Sequence, residues 1–122
     1  MKENILIAFY NLSNQYLDSY VYLLFIVVII DIFTGFAKAF LSNNEEKKLD
    51  SSVGLKGLMK HVLVIILVLT FHIYCSIFQL ISYSQIFISF YIANYGISIM
   101  ENLGDMGIPV PEFIKTKLNK FK

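Results

Sequence analysis

The sequence predicts an all-α integral membrane protein: three transmembrane helices preceded by an N-terminal amphipathic helix lying in the membrane interface. Three observations carry that expectation. Apolar residues make up 57% of the 122-residue chain and charged residues 16%, against roughly 45–50% and about 25% in soluble domains. A soluble domain this small needs more polar cover. From His61 to Met100 there is no Lys, Arg, Asp or Glu. The remaining charge is clustered, with nine of the ten lysines lying around the loop after the first apolar run or after the last run.

The length suits one domain, so residues 1–122 are read as a single membrane domain. A net charge of +1 gives no footprint for nucleic acid. One cysteine excludes an internal disulfide framework, and no CxxC or paired Cys/His spacing points to a metal. There is no GxSxG, HExxH, P-loop or GxGxxG, so neither an enzyme nor a cofactor is expected. Asn11-Leu12-Ser13 matches a glycosylation sequon, a tripeptide that arises often by chance.

The elements follow in order. Residues 3–17 form the amphipathic helix, with Ile5, Phe9, Leu12 and Tyr16 on one face and Asn11, Asn14 and Gln15 on the other. This segment is too short to span and suits the interface. A signal peptide fits poorly, because no A-x-A cleavage site follows. Residues 19–41 are the first span, apolar except for Asp31 and Lys38 toward its end. Residues 42–61 read as a loop, with Asn43 to Lys48 solvated and Ser51-Ser52 suited to cap a short helix that leads into the next span. As one helix, residues 62–100 would run roughly 58 Å, about twice a ~30 Å hydrocarbon core. The run therefore folds back, and the polar stretch Ser82-Tyr83-Ser84-Gln85 is the expected turn. It separates a second span at 62–81 from a third at 86–103. Pro109 and Pro111 end the third helix. In the tail, residues 104–122, Phe113, Leu118 and Phe121 alternate with four lysines, a pattern suited to anionic lipid. Lysine placement puts the N-terminus outside, the loop inside, the turn outside and the C-terminus inside.

Each span carries a polar stripe. Asp31, Thr34, Lys38 and Ser42 share a face of the first span with Gly35. His72, Cys75, Ser76 and Gln79 share an arc of the second. Tyr91, Asn94, Ser98, Glu101 and Asp105 share an arc of the third, whose reverse face holds the small residues Ser89, Ala93 and Gly96. Gly35 and Ala39 give the first span a small pair of its own, suited to close helix packing. Two readings of the stripes stay open at this point. They are hydrogen-bonded seams between helices of one bundle, or they line an aqueous lumen made by several copies, since charge at bilayer depth needs water or a partner. Taken singly, His72 reads as a hydrogen-bonded core histidine and Cys75 as a buried thiol.

Three segments taken in order resemble one family. They are Asp31-Ile32-Phe33-Thr34-Gly35-Phe36-Ala37-Lys38-Ala39, then Ser51-Ser52-Val53-Gly54-Leu55-Lys56-Gly57-Leu58-Met59-Lys60. The third is Tyr91-Ile92-Ala93-Asn94-Tyr95-Gly96-Ile97-Ser98-Ile99-Met100-Glu101-Asn102-Leu103-Gly104, with Gly107-Ile108-Pro109-Val110-Pro111 behind it. Together they resemble the toxin-secretion/phage-lysis holin family of Gram-positive phages and clostridial toxin loci, over about residues 20 to 120. The chain departs from that pattern at Tyr95, where the family usually has a glutamate. The resemblance implies a homo-oligomer in the bacterial cytoplasmic membrane, with lipid, further copies of itself and an antiholin as partners. Its lesions would release an endolysin or a large toxin. The competing expectations are a small membrane subunit of a transporter or secretion complex, and an antiholin.

Overall fold

The computed structural model describes residues 2–16, 18–41 and 51–113. They form four helices: α1 (Lys2–Tyr16), α2 (Ser19–Leu41), α3 (Ser51–Ile77) and α4 (Ile81–Asp105). The segment from Asn43 to Lys48, Ser42, the lysine tail with Leu118 and Phe121, and the side chains of Ser51 and Ser52 lie outside the described residues.

α1 covers the expected amphipathic segment and rests on α3. Its side chains from Lys2 to Asn11 are all exposed, including the apolar Ile5 and Phe9. α2 has the expected bounds. The Asp18 carboxylate caps it by accepting the Val21 amide at 3.2 Å, which satisfies one of the four free amides of the first turn.

α3 departs from the expectation. It begins at Ser51, where a short helix was expected within the 42–61 loop, but runs on without a break into the second span. Leu55, Leu58 and Met59 continue an apolar helix, while Lys56 and Lys60 extend from its exposed side; a lysine stem covers apolar surface and leaves its ammonium in water. α3 also ends earlier than residue 81. The Leu80 amide donates to the Cys75 carbonyl at 2.7 Å across Gln79, whose φ is 58°. That is a Schellman closure with glutamine in the left-handed position usually held by glycine.

The expected turn at residues 82–85 is therefore the first turn of α4, and the chain reverses at residues 78–80 instead. Ser84 is completely buried, because its hydroxyl finds His72 at 2.7 Å and has no need of water. α4 ends by the same device as α3. The Ile108 amide donates to the Leu103 carbonyl at 3.0 Å over Gly107, with φ 82°, so the helix closes before Pro109 is reached.

The register is simple. Asp31–Ser98 and Lys38–Asp105 are both 67 residues apart in sequence, so α2 and α4 run parallel and side by side. α3 returns antiparallel to α4, with His72 against Ser84 near one end and His61 against Tyr95 toward the other. Val21, Leu24 and Val28 of α2, Val68 of α3, and Ile88 and Tyr95 of α4 make the buried core. The outward faces stay apolar, with Ile29, Phe33 and Phe40 on α2 and Leu63 and Ile66 on α3 exposed. Two helical stretches, Ser19–Leu41 and Gly54–Ile77, are long and apolar enough to cross a membrane, with mean hydropathies of 2.3 and 2.0.

Candidate functional site

The polar groups converge where α2, α3 and α4 meet. Asp31 lies about midway along α2 and is 7% exposed. Its Oδ1 accepts the Ser98 hydroxyl at 2.6 Å and Asn102 Nδ2 at 3.3 Å. Asn102 also donates to Thr34 Oγ1 at 3.0 Å, and the Thr34 hydroxyl turns back to the Asp31 carbonyl at 3.0 Å. Asn102 and Thr34 are themselves buried. Gly35 completes this side, since a Cβ there would lie 3.8 Å from Asn102 Nδ2. That is an ordinary van der Waals distance, so the amide would tolerate a methyl group there.

α3 supplies His61. Its Nδ1 is 2.8 Å from the Tyr95 hydroxyl and its Nε2 is 3.8 Å from Asp31 Oδ2. Beside this group, an open cleft of about 310 Å³ runs between α2 and α3, lined by Asp31, Phe36, Gly54, Gly57, Leu58 and His61 among others. A lipid-facing carboxylate at this depth would cost at least ~2.5 kcal/mol. In the fold, Asp31 Oδ1 is held by two donors of α4, and the His61 ring of α3 stands 3.8 Å from Oδ2.

The expected site residues divide into groups. Asp31, Thr34 and Ser98 meet directly, with Gly35 alongside. Lys38 continues their line and pairs with Asp105 at 3.5 Å in a half-exposed position. His72 belongs to a second cluster at the other end of the bundle, buried with Ser84 and near the buried thiol of Cys75; the Ser76 hydroxyl returns to the His72 carbonyl at 2.8 Å. Gln79 sits exposed in the α3–α4 turn, and Asn94 is exposed on α4. Glu101 is half-buried. Of the small residues, Ala39 and Gly96 are half-buried, while Ser89 and Ala93 are exposed and a Cβ at Gly96 would meet nothing within 4 Å.

Sequence reasoning missed Asn102, His61 and Tyr95 as site residues. The signal for Asn102 and Tyr95 was the spacing of the residues α4 buries: Ser84, Ile88, Tyr95, Ile99 and Asn102 follow a three-and-four alternation, which selects the packed face of a helix. The expected arc was centred one residue away. His61 falls at the end of the expected 42–61 loop, where a histidine gives no helical-face signal, whereas it lies within α3. Among the described residues, no three His, Cys, Asp or Glu side chains are grouped to hold a metal ion.

A family model describing the bacteriophage holins matches residues 8–122. The chain belongs to the bacteriophage holin family. The three motifs that suggested this resemblance lie within the match. Among relatives, the "Probable holin" of Bacillus phage phi105 is 32% identical over 108 residues, covering 86% of this chain and 73% of that protein. An uncharacterized protein of Clostridium perfringens is 31% identical over 100 residues, covering 78% and 72%. One from Listeria monocytogenes is 35% identical over 101 residues, covering 82% and 72%. No solved structure matches this holin-family chain. Family membership and the two apolar helices together make it a membrane protein.

Proposed function

We propose that this holin-family chain spans the bacterial cytoplasmic membrane three times, assembles with copies of itself, and opens lesions that release an endolysin or a large toxin. The observation that carries the reading is the family match over residues 8–122. The alternating directions of α2, α3 and α4 support three successive crossings. α4 is 25 residues long, enough for a ~30 Å core, and places its most polar face against α2. Lys38, Lys56 and Lys60 lie at the end that the lysine bias assigns to the cytoplasm, with α1 on the outer surface as an interfacial helix.

Assembly is supported by what the single copy leaves uncovered. Ser89, Ala93 and Asn94 of α4 are exposed, and a small-residue face with an amide beside it suits packing against another copy. Within one copy Asp31 is a seam between helices. An aqueous lumen along that stripe would need the helices to rearrange on assembly.

Expression alone in a bacterium, followed with a membrane-potential dye, tests the reading. A holin collapses the potential without a partner, and a co-expressed endolysin then lyses the cells. An intact potential at matched membrane levels overturns the proposal. It would point to a transporter or secretion subunit, or to an antiholin where a second holin's lysis is delayed.

A further inference from the structure

We infer that His61 and Asp31 form a one-proton latch that holds the N-terminal half of α3 against the α2–α4 pair. The three long helices are not joined equally. α2 and α4 touch along their length, through the core and the bonds from Ser98 and Asn102 to Asp31. The N-terminal half of α3 faces α2 across the open cleft, where Gly54 and Gly57 have no side chain to fill the space. In that half, among the described residues, the polar ties to α2 and α4 run through the His61 ring.

The ring sits between two partners. Asp31 Oδ1 is occupied by Ser98 and Asn102, while Oδ2 faces His61 Nε2 at 3.8 Å. Nδ1 is engaged by the Tyr95 hydroxyl at 2.8 Å. Of the other ionisable groups on these helices, Lys38 and Asp105 pair with each other, Tyr91 and Glu101 are half-buried on α4, and Lys56 and Lys60 are exposed on α3.

With one proton shared by His61 and Asp31, the site is neutral. The imidazolium then donates Nδ1–H to the tyrosine oxygen at 2.8 Å and attracts the carboxylate by charge across 3.8 Å. Without that proton the charge attraction across 3.8 Å is lost, and the distance is too long for a hydrogen bond to replace it. One His61–Tyr95 bond remains as the tie. The unneutralised carboxylate then draws water, and the adjoining cleft is where water enters as α3 swings away. Neither step requires the chain to make lesions, although a latch of this kind would give such a protein a proton-sensitive trigger.

The test places nitroxide labels on Phe36→Cys of α2 and Leu58→Cys of α3, which line the cleft from opposite sides, with the native thiol removed by Cys75→Ser. The full-length protein is reconstituted in phospholipid vesicles and label separations are measured by pulsed electron resonance at about pH 5 and about pH 8, which bracket histidine titration. The short-separation population is expected to fall about tenfold at the higher pH. In His61→Gln, which keeps a hydrogen-bonding group without titrating, the separations are expected not to change with pH. Separations independent of pH in the protein with native His61 overturn the latch, and so does a His61→Gln variant that responds as that protein does. The first of these measurements decides the matter even where the variant fails to fold. No lysis is read, so the latch and the holin reading fail separately.

Discussion

Removing the Ser98 hydroxyl isolates a short hydrogen bond that joins α4 to the middle of α2. It donates to Asp31 Oδ1 over 2.6 Å, the length of a charge-assisted O–H···O bond. Bonds to charged groups contribute about 1.5–3 kcal/mol in soluble proteins. Interhelix bonds in membranes average about 0.6 and reach about 1.7 kcal/mol. Two facts place this one near the upper membrane value. Asp31 is 7% exposed, so water does not replace the lost donor. The second donor to the same oxygen, Asn102 Nδ2, is farther away at 3.3 Å and is shared with Thr34. A double-mutant cycle on Ser98→Ala and Asp31→Leu should therefore show a coupling of about 1–1.5 kcal/mol. Unfolding by dodecyl sulfate in mixed micelles supplies the equilibrium, read by alkylation of Cys75. That thiol is 1% exposed in the fold and lies at the other end of the bundle from the mutated pair. A coupling below about 0.3 kcal/mol would mean that Ser98 and Asp31 do not interact and that the α2–α4 seam is held elsewhere.

The same dodecyl sulfate unfolding, followed by tyrosine fluorescence instead of Cys75 alkylation, checks three further outcomes. Lys38→Ala should change stability by less than about 0.5 kcal/mol, because the Lys38–Asp105 pair is 3.5 Å long and its side chains are 33% and 46% exposed; a larger loss refutes the view that this pair is peripheral. Gln79→Gly should stabilise the bundle by about 1 kcal/mol by relieving a left-handed glutamine at φ 58°, and no gain would show that the turn is held for other reasons. His72→Ala should cost at least about 1–3 kcal/mol, since it leaves the fully buried Ser84 hydroxyl without its partner. Topology is checked with Gln79→Cys in a Cys75→Ser background. The exposed turn should react with a membrane-impermeant maleimide in intact cells, and protection there would reverse the proposed orientation.

Much of the fold was legible in the sequence because it rests on bulk hydropathy. The bounds of α2, a helix before it and the fold-back of the long uncharged run all follow from where apolar residues accumulate. The places that were misread are governed by single contacts. Ser82 to Gln85 looked like a turn because four consecutive residues include two serines, a tyrosine and a glutamine, yet the Ser84 hydroxyl is satisfied by His72 twelve residues earlier. The true reversal at Gln79 is hard to see because its left-handed position holds neither glycine nor asparagine. At the other end of α4, Gly107 and Pro109 announce the same closure openly. Lysines among apolar residues suggest a loop with a short helix before the span, whereas Lys56 and Lys60 lie exposed on one continuous helix.

The site shows a similar division. Asp31, Thr34 and Ser98 could be picked out because polar residues in apolar spans stand out singly, but which residue meets which depends on the rotation of α4 about its axis. An arc centred on Asn94, Ser98 and Glu101 differs from one centred on Tyr95, Ser98 and Asn102 by less than one residue's turn of 100°. That difference decides whether an asparagine is buried on Asp31 or left facing outward. Helix α4 is too polar for a simple hydropathy reading, but the deficit is not spread evenly around it. Ser84, Tyr95, Ser98 and Asn102 spend their polarity on His72, His61, Asp31 and Thr34, and add no cost at a lipid boundary. Of the polar side chains in the middle of α4, Ser89 and Asn94 are exposed. A serine hydroxyl can return to its own helix backbone, but an asparagine amide on a spanning helix has two donors that the helix does not satisfy. On the proposed three-span topology, Asn94 thus lies mid-span with its amide uncovered, and the small surfaces of Ser89 and Ala93 beside it let a second helix come close enough to meet it.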